Sequence, residues 1–138
     1  MLSRWERWSL HLSALVVALT GLGHGWLKYC QQRQGEFGPE PFPAQNLLLH
    51  GHVLAAPVLV FALGLLVRGH VLPALRSGAR AGRWTGLLAV AVLAPMTLSG
   101  YAIQICVDPG WRLALAWIHG PFSLLFLAAY GAHLLRRR

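Results

Sequence analysis

The stretch "WIHGPFSLLFLAAYGAH" runs from Trp117 to His133 and is apolar almost throughout, yet it carries His119 and His133, fourteen positions apart. On an α-helix fourteen steps return to within about 40° of the starting direction, so both imidazoles share a face, about 21 Å apart along the axis. A polar side chain inside an apolar span is costly and marks either a hydrogen bond to a neighbouring helix or a functional site. A neutral imidazole is a common metal ligand and an axial ligand of haem iron. The interval would place one ring toward each side of a hydrocarbon core about 30 Å thick, and so could serve two metal centres, one above the other.

Such rings need helices to hold them, and the composition supplies these. Of 138 residues, 56% are hydrophobic and only 12% are charged, about half the charged share of soluble domains. Four apolar stretches are long enough to cross a bilayer, at about Trp8–Cys30, Asn46–Arg68, Trp84–Cys106 and Trp111–Leu135. The first lacks the small-residue cleavage site of a signal peptide and is expected to stay as a span. The connection "VDPG" is a tight turn, "QQRQGEFGPEPFPAQ" reads as an irregular surface loop, and "RGHVLPALRSGARAG" as a compact basic loop. Short connections make successive helices antiparallel. The expected fold is therefore all-α: a single domain over residues 1–138, an up-down-up-down four-helix transmembrane bundle. Pro57, Pro95 and Pro121 fall within spans, where each removes a backbone donor and can kink its helix.

The net charge of +8 does not point to nucleic acid, because its distribution follows topology. With four crossings, Arg4, Arg7, Arg68, Arg76, Arg80, Arg83, Arg136, Arg137 and Arg138 fall on one side, and only Lys28, Arg33 and Arg112 on the other. The positive-inside rule then places both termini in the cytoplasm. Trp5, Trp8, Trp26, Tyr29, Trp84 and Trp111 sit near span ends, as aromatic belts do. The bilayer is thus the first expected partner.

One helix cannot fill both axial positions of an iron, so partners must come from other spans at matching depth. His11 enters near the cytoplasmic face, level with His133. His50 and His52 lie near the outer face, level with His119. The expected inner pair is His11 and His133; the expected outer pair is His119 with His50 or His52. His50 and His52 point about 200° apart, so only one should face the bundle. His24 is thirteen from His11, a rotation of about 220°, which makes it a weaker outer candidate. His70 is eighteen from His52, on the same face of a regular helix but about 27 Å along, and replaces His11 only if the second helix is strongly tilted. A zinc or copper site would instead want histidines clustered at one depth with Cys or acidic ligands nearby. The third span has no histidine, though Gly100 would allow close approach.

The chain resembles the four-helix di-haem cytochrome b proteins of bacterial membranes, a group that includes the formate dehydrogenase gamma subunit, hydrogenase cytochrome b subunits and stand-alone relatives. The resemblance rests on "RWSLHLSALVVALTG" with His11, on "LHGHVLAAPVLVFALG", where His52 aligns more readily than His50, and on "WIHGPFSLLFLAAYGAH". It implies two non-covalent b-type haems, with iron ligands His11, His52, His119 and His133, in a bacterial inner membrane. It also implies electron transfer between the quinone pool and a periplasmic partner, such as a cytochrome c or an oxidoreductase subunit. Two rival readings remain: a stand-alone membrane oxidoreductase, such as one passing electrons from superoxide to quinone, and a haem-free anchor or assembly factor.

Arg7 and Arg68 at the inner face, and Lys28 and Arg112 at the outer, are candidate propionate contacts. Tyr101 and Gln104 are candidate quinone contacts. Cys30 and Cys106 both fall at outer span ends, where a disulfide and two separate thiols are equally open. No CxxCH motif for covalent haem and no GxGxxG nucleotide loop is present. The charge asymmetry makes a direct prediction. A reporter active only outside the cytoplasm, fused after Arg138, should stay silent; activity there would invert the topology.

Overall fold

A computed structural model describes residues 3–31, 33–78 and 82–136. Arg80, Arg137 and Arg138, three of the expected cytoplasmic charges, lie outside the described residues. The fold is all-α apart from one small hairpin. Helix α1 is Arg4–Tyr29, strands β1 and β2 are Arg33–Gly35 and Gly38–Glu40, and α2 is Pro43–Leu66. A π-helical turn, Val67–Val71, and a short α3, Leu72–Arg76, prolong α2; α4 is Arg83–Ile105 and α5 is Pro109–Leu135. Four helices are long and apolar enough to cross a membrane, with α2 running through the π-turn to Arg76.

The helix ends follow local chemistry. Ser3 caps α1: the Glu6 amide donates to Ser3 Oγ at 3.1 Å, and the Ser3 amide donates to Glu6 Oε2 at 2.7 Å. The two reciprocal bonds form a capping box. Helices α2 and α5 open on Pro43 and Pro109, whose missing N–H costs nothing in the first turn. Asp108 Oδ1 accepts from the Trp111 amide at 2.8 Å and fixes the turn between α4 and α5. Both α1 and α5 therefore begin earlier than their apolar runs suggest. Pro57, Pro95 and Pro121 sit inside helices that continue through them.

Two connections differ from expectation. The loop after α1 contains an antiparallel hairpin, with Arg33 opposite Glu40 and Gly35 opposite Gly38. Gly38, at φ 120°, supplies a backbone conformation that L side chains rarely adopt. The loop after α2 is shorter than expected, because helix persists to Arg76. The π-turn adds a residue to the helical repeat, so straight-helix reckoning of His70 from His52 does not carry through it.

The chain divides into two compact units, Met1–Pro73 and Ala74–Arg138. The first is an antiparallel hairpin of α1 and α2. Its contacts run in opposite order along the two helices: Thr20 meets Gly51 and His52, Gly23 meets Leu48, and His24 meets Gln45. The second is an antiparallel hairpin of α4 and α5, with Gly86 against His133 and Gly100 against His119. Small residues let the helices approach closely, as in membrane helix pairs generally. The buried positions are Leu10, Ser13 and Ala14 on α1, Leu59, Ala62 and Leu63 on α2, Val92 and Ser99 on α4, and Phe126 and Ala129 on α5. Trp5, Trp8, Trp26, Tyr29, Trp84 and Trp111 are all exposed.

Candidate metal-ligand histidines

Three histidines are held in the same way. His52 on α2 donates from Nδ1 to the Val17 carbonyl of α1 at 2.9 Å. His119 on α5 donates from Nδ1 to the Met96 carbonyl of α4 at 2.8 Å. His133 on α5 donates from Nδ1 to the Gly82 carbonyl, just before α4, at 3.1 Å. A carbonyl oxygen can only accept, so in each neutral ring the proton sits on Nδ1 and the lone pair on Nε2; at His119 that lone pair faces Ser123 Oγ, 3.5 Å away.

A helical carbonyl already accepts from the amide four residues on, and the side chain of that residue ordinarily crowds its approach. At all three sites that residue is glycine: Gly21 follows Val17, Gly86 follows Gly82, and Gly100 follows Met96. Each glycine lies against the ring. A methyl on Gly21 would come within 2.8 Å of His52 Cε1, one on Gly100 within 2.9 Å of His119 Cε1, and one on Gly86 within 3.3 Å of His133 Cε1. The missing Cβ thus opens the carbonyl and makes room for the imidazole. Gly86 and Gly100 are fourteen apart, the same interval as His119 and His133, so one register of the α4–α5 hairpin seats both rings. The face shared by His119 and His133 is the face that α5 turns to α4.

The other histidines differ. His24 on α1 donates from Nδ1 to the Gln45 carbonyl at 3.1 Å, but the residue four after Gln45 is Leu49. The rotation that turns His24 from His11's direction leaves it facing the start of α2. His50 is exposed on α2, while His52 is half-buried against α1. His11 on α1 and His70 in the π-turn are both half-buried. His11 and His52 belong to the first unit, His119 and His133 to the second. Among the described residues, no three His, Cys, Asp or Glu side chains gather as a metal-holding group, an arrangement that two-histidine axial ligation does not require.

The candidate anion-pairing residues are partly committed elsewhere. Arg112 Nη1 donates to the Cys106 carbonyl at 3.1 Å and closes the α4–α5 turn. Lys28 Nζ lies 5.3 Å from the Tyr29 ring centroid. Arg7, Arg68, Tyr101 and Gln104 are exposed. Cys30 and Cys106 are both free thiols. Sequence reasoning missed Gly21 and Gly86, and also Thr20 and Thr85, whose hydroxyls lie 3.4 Å from His52 Nδ1 and 3.2 Å from His133 Nδ1. The repeated interval of Gly86 and Gly100 was the available signal.

Comparison with family models, with curated proteins and with solved structures finds no match to this chain.

The glycine seats predict opposite signs for one type of substitution. Gly21→Ala and Gly100→Ala push a methyl into a seated ring and should destabilise the protein by about 1–3 kcal/mol. Gly64→Ala and Gly131→Ala meet nothing within 4 Å and should be neutral or stabilising, by up to about 1 kcal/mol from helix propensity. Denaturant unfolding in detergent micelles, followed by helical circular dichroism, measures both. Equal effects in the two pairs would contradict the seats.

Proposed function

We propose that this chain is a di-haem membrane cytochrome b of the four-helix family that its sequence resembles. It would carry electrons across a bacterial inner membrane between the quinone pool and a redox partner outside, most simply as a subunit of a larger complex. The observation that carries this reading is the shared setting of His52, His119 and His133. Each ring is fixed by an Nδ1–H donation to a backbone carbonyl, which sets the tautomer whose Nε2 can ligate iron. The interval of fourteen between His119 and His133 supports two levels, about 21 Å apart.

When bound, the haems supply the one-electron redox chemistry; the protein supplies ligands, orientation and a dry setting. In this reading His119 and His52 would serve the outer level and His133 and His11 the inner. Two histidines at each iron would leave no open position, so transfer of electrons rather than binding of oxygen would be the role. The apolar lengths of α1, α2, α4 and α5 suit a lipid partner. The excess of basic residues at both termini and between α2 and α4 supports a cytoplasmic location for the chain ends.

Single substitutions test the assignment. His119→Ala should lose one haem per chain and keep the other; His133→Ala should lose the other one. His52→Ala should behave like His119→Ala, and His11→Ala like His133→Ala. His24→Ala, His50→Ala and His70→Ala should keep both. Haem per chain by pyridine haemochrome, with a redox titration to tell the two apart, reads each variant. Unchanged haem in the His119 and His133 variants would defeat the proposal. Loss in His70→Ala with His11→Ala intact would move the inner ligand to α2.

A further inference from the structure

Two of the three seated rings have a second oxygen at Nδ1. Thr85 Oγ1 lies 3.2 Å from His133 Nδ1, and Thr20 Oγ1 lies 3.4 Å from His52 Nδ1. A hydroxyl has one proton, and here a carbonyl of its own helix segment takes it: Thr85 donates to Gly82 O at 3.0 Å, and Thr20 to Val16 O at 2.6 Å. Each hydroxyl then turns a lone pair toward the ring. At His133 the arrangement is closed. Gly82 O accepts from both the ring and the hydroxyl, and the ring N–H stands between two acceptors at nearly equal distance. Thr85 lies one residue before Gly86, so the glycine that admits the ring and the hydroxyl that engages it share one turn of α4.

Resting on the haem reading above, we propose that Thr85 is a positioning residue that sets the donor strength of His133 and so the potential of the haem that His133 holds. A second acceptor at Nδ1 draws the proton outward and makes Nε2 more basic, as outer hydrogen bonds do at other histidine–metal sites. A more basic Nε2 would favour ferric over ferrous iron in a haem held there and so lower its potential. With haem bound, the couple would be a one-electron exchange, with no proton leaving the His133 ring. Thr20 does the same for His52 more weakly, in line with its longer contact.

The test uses Thr85→Val, which keeps the shape and removes the hydroxyl, and Thr85→Ser, which keeps the hydroxyl. The titration step belonging to His133 is the one absent in His133→Ala. In Thr85→Val that step should move to more positive potential with both haems retained, and Thr85→Ser should bring it back. Haem loss in Thr85→Val that Thr85→Ser restores also supports the hydroxyl. An unmoved step with both haems present, or a loss that serine does not restore, would overturn the proposal and leave Thr85 a packing role. A haem-independent reading comes from NMR of the apo-protein, where the His133 Nδ1 proton should shift upfield in Thr85→Val; an unshifted proton overturns the contact itself. Wild-type protein that takes up no haem would overturn the haem reading and the tuning role together, while this signal still reports on the hydrogen bond.

Discussion

The donation of an imidazole N–H to a carbonyl on the neighbouring helix is the interaction on which each hairpin depends. An imidazole left unpaired in an apolar span costs free energy, since no water is there to satisfy it. Pairing it with another side chain would require a second polar group at the same depth. Pairing it with the backbone does not, because every residue offers a carbonyl. The difficulty is access, which the glycine one turn on provides. Val17 with Gly21, Gly82 with Gly86 and Met96 with Gly100 are three copies of that solution.

The same glycines serve packing. A glycine inside a helix costs about 1 kcal/mol against alanine, and one that merely spaced two helices could be alanine. Alanine at Gly21 or Gly100 would bring a methyl within 2.9 Å of the ring and force it to shift. Helix approach, ring orientation and tautomer are thus set together by one choice of residue. The contacts are backbone-directed and local to each hairpin, so they fix His52 relative to α1, and His119 and His133 relative to α4, within each unit. This is the preorganisation that the proposed ligand set needs, with the proton of all three rings held on Nδ1.

Much of the fold could be read from the chain. The four spans follow from apolar length alone, and their ends drift by a few residues because the caps, Ser3 and Asp108, lie outside the apolar runs. The rotation of about 200° between His50 and His52 says that only one of them faces a neighbouring helix, and the choice of His52 rests on the resemblance; in the structure it is His52 that meets α1. The β-hairpin was not legible, since three residues a strand give no alternation to detect. The π-turn leaves no mark on hydrophobic period, and it upsets the reckoning for His70. The carbonyl acceptors were hidden for a deeper reason: sequence does not distinguish one backbone oxygen from another. Only the glycine pair at positions 86 and 100 betrays them, and it carries meaning only beside His119 and His133.

The central claim is that the rings are set to hold iron at two levels. The most direct measurement is the pyridine haemochrome of the purified wild-type protein, referred to protein concentration and paired with a reduced-minus-oxidised spectrum. The account predicts two b-type haems per chain, removable by acid-acetone and reducible in two steps. A protein isolated with full helical content but no haem, and unable to take it up when haem is supplied, would contradict it.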